Sequence, residues 1–170
     1  REYAAMKFFL YTLFGSVLML LVMLAFYFYS DGHSFNMVTL ANQATHLGPL
    51  TGTTFRNVCW IALFICFAIK IPTVPFHTWL PDAHVEAPTA ISVILAGILL
   101  KMGIYGILRI CYPLLPDSTV TFGPLMAVIG MINIVYGALC AMAQKDFKRL
   151  IAYSSISHMG FCLLGMSSFT

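Results

Sequence analysis

The chain has 170 residues, of which 60% are hydrophobic and 9% charged; its formal charge is +3 and its mean hydropathy +0.89. A water-soluble domain of this size cannot cover its surface with so few charges, so an ordinary soluble enzyme or binding module is excluded. The basic residues are dispersed rather than gathered into a stripe, which argues against a nucleic-acid partner. What remains is an all-α integral membrane protein in a lipid bilayer.

About 20 apolar residues cross the hydrocarbon core as a helix. Five stretches qualify, at about 4–29, 58–80, 89–111, 122–143 and 150–170, and together they form a single transmembrane region. The first ends in Phe26-Tyr27-Phe28-Tyr29, a cluster of rings suited to the headgroup interface. Ser30 to Phe55 is polar and predicted to be a loop outside the membrane. The second run carries Lys70 near its centre and is predicted to break. There Pro72 crowds the carbonyl of Ala68, and Pro75 does the same to Ile71. Carbonyls freed at that depth must face protein or water, so the break implies a cavity or a packed interior. Trp79 and Pro81-Asp82 mark the exit from the bilayer.

Pro88 is placed to open the third helix. Lys101 lies mid-run, with Gly97 and Tyr105 on the same face and Arg109 near the end. The loop CYPLLPDST leads into the fourth run, where Gly130, Asn133 and Gly137 form a small, polar stripe suited to close packing. A charged turn, QKDFKR, precedes the fifth run. Ser154, His158, Cys162 and Gly165 share one side of it, which is predicted to face a bundle interior. Arg1, Lys7, Lys145, Lys148 and Arg149 fall on one side of the membrane, Arg56 and Arg109 on the other. The positive-inside rule assigns the first side to the cytoplasm or its equivalent. The chain opens at Arg1 with no signal peptide and is still apolar at Thr170, so it is expected to be an internal piece of a longer protein.

A lone ammonium at bilayer depth costs about 2.5–3.5 kcal/mol on insertion scales. Lys70 and Lys101 therefore each need a reason. Either they are structural, paired with carboxylates or snorkelling, or they carry protons. Snorkelling suits Lys70 poorly, because the interface is roughly half a bilayer away at 1.5 Å of rise per residue. No acidic residue of this chain is expected at its depth. Burial and a second cation lower a lysine's proton affinity while a carboxylate raises it, so moving a partner's charge can switch such a group. His158 is either a hydrogen-bonded membrane histidine or a proton relay. His77 and His84 straddle a Pro-Asp turn and are expected to structure it rather than to bind metal or haem. Asp82 and Glu86 read as a solvated edge or a subunit contact, and Lys7 as an anchor or packing residue. The five cysteines form no C-x-x-C pair and read as apolar packing residues. No cofactor-binding or metal-ligating residue is expected.

Three segments, FAIKIPTVPFHTWLPDAHVEAPTA, ISVILAGILLKMGIYGILR and KDFKRLIAYSSISHMGF, closely resemble the antiporter-like, proton-translocating membrane subunits of respiratory complex I, the NADH:quinone oxidoreductase. The opening REYAAMKFFLYTLFGSVLML fits the same family, and the likeness covers essentially the whole chain. The resemblance implies a module of two inverted five-helix repeats. In it Lys70 is the broken-helix lysine, Lys101 the connecting lysine and His158 the histidine of the proton route. The glutamate partner of Lys70 would lie on a preceding helix and the exit-side residue beyond Thr170, so this piece alone would not pump. The implied reaction is NADH oxidation coupled to quinone reduction and proton export. NADH, FMN, iron–sulfur clusters and quinone would be handled by other subunits, which are the implied partners. The implied location is the bacterial inner membrane, or the mitochondrial inner membrane for an organellar protein. Alternatives are a subunit of a multi-component sodium–proton antiporter or membrane-bound hydrogenase, a non-transporting scaffold, and a haem-binding membrane protein.

Overall fold

The computed structural model describes residues 2–30, 33–45 and 52–168, and across them the chain is helix and turn without a strand. Arg1, two stretches of the 30–55 connection (31–32 and 46–51) and residues 169–170 lie outside the described residues. Five helices among them are long and apolar enough to cross a membrane: Glu2–Tyr29 (α1), Thr53–Lys70 (α3), Thr89–Leu114 (α5), Pro116–Met142 (α6) and Phe147–Ser167 (α7). Two short helices, Met37–Thr45 (α2) and Trp79–Glu86 (α4), complete the fold.

Helix α1 is apolar all round and buries little more than Ala4, Gly15, Val22 and Phe26. Its closing rings pack locally: Tyr27 stacks on Phe35 at 4.5 Å, and Phe26 and Tyr29 both meet Phe55. The connection expected to be a plain loop carries α2. Its start has a cap, since the Asn36 side chain accepts the Val38 amide at 3.0 Å.

Helix α3 is the one around which the others gather. Its buried face runs from Arg56 through Trp60, Phe64 and Phe67 to Ile69. Trp60 lies between the rings of Phe64 and Phe122, and its indole N–H donates to Thr119 Oγ1 at 2.9 Å. Helix α3 starts at Thr53, earlier than the expected run at 58. Its polar first turn is held inward, with Arg56 pairing with Asp117 at 2.6 Å and Asn57 accepting from Ser118 at 2.9 Å. The same contacts explain why CYPLLPDST is not an open loop. Helix α5 runs on to Leu114, Leu115 makes the bend, and Pro116 begins α6 at its first position. Thr119 Oγ1 donates back towards Leu115 and Cys111, so the polar side chains serve the helix ends instead of water.

Helix α5 contains two wide, π-type turns, at Leu95–Leu99 and Ile107–Cys111. Gly103 and Gly106 let it press on the last turn of α3. A Cβ at Gly103 would meet Lys70 Cβ at 3.2 Å, and one at Gly106 would enter the Phe67 ring.

Helices α6 and α7 meet along glycines. A Cβ on Gly137 would stand 2.8 Å from the Ser157 nitrogen, and one on Gly160 2.7 Å from the Gly130 carbonyl oxygen. Such an approach maximises dispersion contact where no hydrophobic effect drives helices together. It also fixes which face of each helix turns inward. Gly137→Ala sets a methyl against backbone that cannot step aside, so it is expected to destabilise the full-length chain by about 1–3 kcal/mol. Thermal unfolding in detergent is the measurement.

Candidate functional site

Helix α3 stops at Lys70, and the backbone turns irregularly through 71–75 before one 3-10 turn, Phe76–Thr78, leads into α4. The prolines dictate the stop, as neither can donate to the carbonyl a turn behind. Several backbone groups at the end of α3 find particular partners. The Phe67 carbonyl accepts the Ile71 amide at 2.7 Å. The Ala68 carbonyl accepts both the Thr73 amide at 3.0 Å and the Thr73 hydroxyl at 3.2 Å. The Ile69 carbonyl accepts the Trp79 indole N–H at 2.9 Å. On the far side the Val74 amide donates to Asn133 Oδ1 of α6 at 2.8 Å. The break is thus a built structure, buttressed from within and from α6.

Lys70 is half-buried at the C-terminus of α3, where the unpaired carbonyl ends favour a cation. Among the described residues no carboxylate forms an ion pair with it. Its stem lies against Gly103, so Lys70 and Lys101 belong to touching helices. Lys101, two residues before Gly103, turns to the opposite face of α5. It is exposed, and its Nζ donates to the Ala96 carbonyl at 2.6 Å within the first wide turn. The two amines therefore do not meet directly. Gly97 has nothing within 4 Å of its added Cβ, so the face it shares with Lys101 is open.

His158 lies on the outer face of α7, exposed along with Cys162 and Gly165. The side expected to face the bundle interior faces away from α6. Ser157 and Gly160 are the residues that admit α6, and they turn His158 outward. The structure thus gathers none of Lys70, Lys101 and His158 into one contact: Lys70 is half-buried at the end of α3, while Lys101 and His158 are exposed on α5 and α7.

The neighbouring histidines are both buried. His77 abuts the edge of the Tyr136 ring at 5.0 Å. His84 Nδ1 shares a short hydrogen bond with Ser92 Oγ, which ties α4 to the start of α5. At this end of the molecule Lys148 Nζ also donates to the Ala87 carbonyl at 3.2 Å. Burial, followed by the positive charge of Lys148, holds the His84 imidazole below its ordinary range. Lys7, read from sequence as an anchor or packing residue, and Asp82, read as a solvated edge or subunit contact, form an ion pair at 2.8 Å. From sequence Asn133 reads as part of a packing stripe alone. Its hydrogen bond to the break has no local sequence signal, because its partner is 59 residues away.

Two outcomes test this geometry in the full-length chain. Asn133→Leu leaves the part-buried Val74 amide without its partner and is expected to cost about 1–3 kcal/mol. Thr73→Val, which leaves the Thr73 amide on Ala68, should cost less; paired denaturation curves compare them. A depressed His84 pKa contributes stability that is full above about 6.5 and is lost as pH falls through the folded value. The thermal midpoint should therefore drop on acidification, and less so in His84→Asn.

The family described as NADH:quinone oxidoreductase/Mrp antiporter, transmembrane, matches residues 1–170. NADH-quinone oxidoreductase subunit M of Rickettsia bellii is 54% identical over 170 residues, which is 100% of this chain and 33% of that protein. NAD(P)H-quinone oxidoreductase chain 4 of Gloeobacter violaceus is 52% identical over 99% of this chain and 31% of its own length. The chain thus spans about a third of these relatives. Among solved structures, a chain of respiratory complex I from Thermus thermophilus with bound NADH superposes with a TM-score of 0.87 at 34% identity, covering 99% of this chain and 35% of that one. A chain of the Mrp complex from Dietzia shares the fold with a TM-score of 0.82 at 22% identity, over 98% of this chain and 29% of its own. The chain belongs to the NADH:quinone oxidoreductase/Mrp antiporter transmembrane family.

Proposed function

We propose that this chain is the part of a complex I membrane subunit that carries protons, with Lys70, Lys101 and His158 as the groups that hold them in turn. The observation that carries the reading is Lys70: a half-buried ammonium, at the end of an interrupted membrane helix, with no carboxylate among the described residues paired to it. A cation so placed is expensive and rewards a function that needs its charge to change. The break beside it also keeps polar atoms inside. Asn133 Nδ2 and His77 Nδ1 are buried without a hydrogen-bond partner. Buried polar atoms of this kind are ordinarily satisfied by water. Water is what a proton needs to pass between amines that do not touch.

The work is electrostatic. Moving one unit charge across about 100 mV costs about 2.3 kcal/mol, so the proton affinities of the carriers must swing by a comparable amount. The swing comes from outside the chain, through electron transfer from NADH to quinone in partner subunits. Flavin, iron–sulfur and quinone chemistry belongs to those subunits, and the setting is the bacterial inner membrane. The relatives at 54% and 52% identity are quinone oxidoreductase subunits, which favours this reading over an Mrp-type sodium–proton antiporter, where the likeness at 22% identity is one of fold.

Lys101→Ala in the full chain is expected to abolish translocation through this subunit while the complex still assembles. Protons moved per electron, measured in proteoliposomes, checks it. An assembled variant with an unchanged ratio would defeat the proposal.

A further inference from the structure

Helix α1 grips both pieces of the interrupted helix. Before the break, Gly15 lets the α1 backbone approach α3, where an added Cβ would stand 3.4 Å from the Cys66 carbonyl oxygen and 3.6 Å from Ile69 Cδ1. Beyond the break, Lys7 Nζ donates to the Thr78 carbonyl at 3.0 Å and to Asp82 Oδ2 at 2.8 Å. Between these footholds Phe8 packs on Trp79, ring centroids 5.3 Å apart. Trp79 in turn reaches back to the carbonyl of Ile69, the residue before Lys70. Lys7 and Gly15 are separated by about 12 Å of helix at 1.5 Å per residue, so one rigid rod bridges the whole interruption.

A proline break has no continuous ladder to hold its two sides in line, so their relative position is set by whatever grips both. The far foothold is ionic. Its side chains are 19% and 34% exposed, so the pair is partly shielded from water.

We propose that Lys7 and Asp82 are a positioning pair for the Lys70 site. Their ion pair locks α4 to α1, and through Trp79 it fixes the turn of backbone from which the Lys70 side chain projects. The inference rests on the translocation reading and deepens it by naming residues that act through others; neither is a proton carrier.

The test uses the full-length chain in its assembled complex, reconstituted in proteoliposomes. Lys7→Met and Asp82→Asn each remove one charge at similar size. Lys7→Arg keeps the charge, and Lys7→Asp combined with Asp82→Lys exchanges the two. The number of protons moved per electron, normalised to assembled complex, is expected to fall in each neutral variant by at least about half of the drop given by Lys70→Ala. It should stay near the parent value in Lys7→Arg and recover in the exchanged pair.

A pair that merely holds the fold would lower yield or thermal midpoint and leave this ratio unmoved, which overturns the proposal. Failure of both neutral variants to assemble also marks a structural pair and overturns it. A ratio that falls equally in the neutral, Lys7→Arg and exchanged variants overturns it too, since pairing of charge would then not matter. If Lys70→Ala itself leaves the ratio unchanged, the translocation reading falls and this proposal with it. A Lys70→Ala defect beside unaffected Lys7 and Asp82 variants removes the positioning pair alone.

Discussion

A peptide carbonyl cannot be left bare in hydrocarbon, and much of this structure answers that constraint at one place. Pro72 and Pro75 strip the end of α3 of its regular donors, and two of its last carbonyls turn to particular substitutes: Thr73 for Ala68, Trp79 for Ile69. The substitutes have to be delivered, and the surrounding helices do so. Helix α6 supplies Asn133 to the Val74 amide, while α1 backs Trp79 with Phe8. Lys70 is placed at a point where the backbone leaves regular helix and polar groups gather inside the fold. Its charge and the break need the same thing, a polar pocket in an apolar body.

The remaining architecture is set by where backbones can touch. Gly130, Gly137 and Gly160 bring α6 and α7 together, and Gly103 and Gly106 seat α5 on α3. Close seams leave the opposite faces free, and that is where Lys101 and His158 lie. In the longer relatives, which this chain covers to about a third, those faces have more polypeptide available to meet them.

Much of this was legible in the sequence. The five membrane crossings follow from hydropathy over long windows, and the break follows from the prolines, whose effect reaches only four residues back. What sequence could not give were pairings between distant residues. Lys7 and Asp82 are 75 positions apart, and Asn133 and Val74 are 59. The orientation of α7 was missed for a different reason. Both of its sides carry small and polar residues, Ser157 and Gly160 on one and Ser154, His158 and Cys162 on the other. Pattern could not choose between them; the backbone approach to α6 did. CYPLLPDST, read as a loop, carries two prolines and a closing Asp-Ser-Thr, yet its hydroxyls turn inward to serve helix ends.

The first wide turn of α5 has its own corollary. Along this helix the first two buried positions, Leu95 and Leu100, stand five apart, whereas Leu100, Gly103 and the Gly106–Ile107 pair follow at strides of three or four. The surplus residue is stored as a bulge instead of as added length, and the bulge offers the Ala96 oxygen to Lys101. A chain shorter by a single residue there would preserve the same inward stripe and wind evenly. It would also close over that oxygen and leave the ammonium without its nearest resting place.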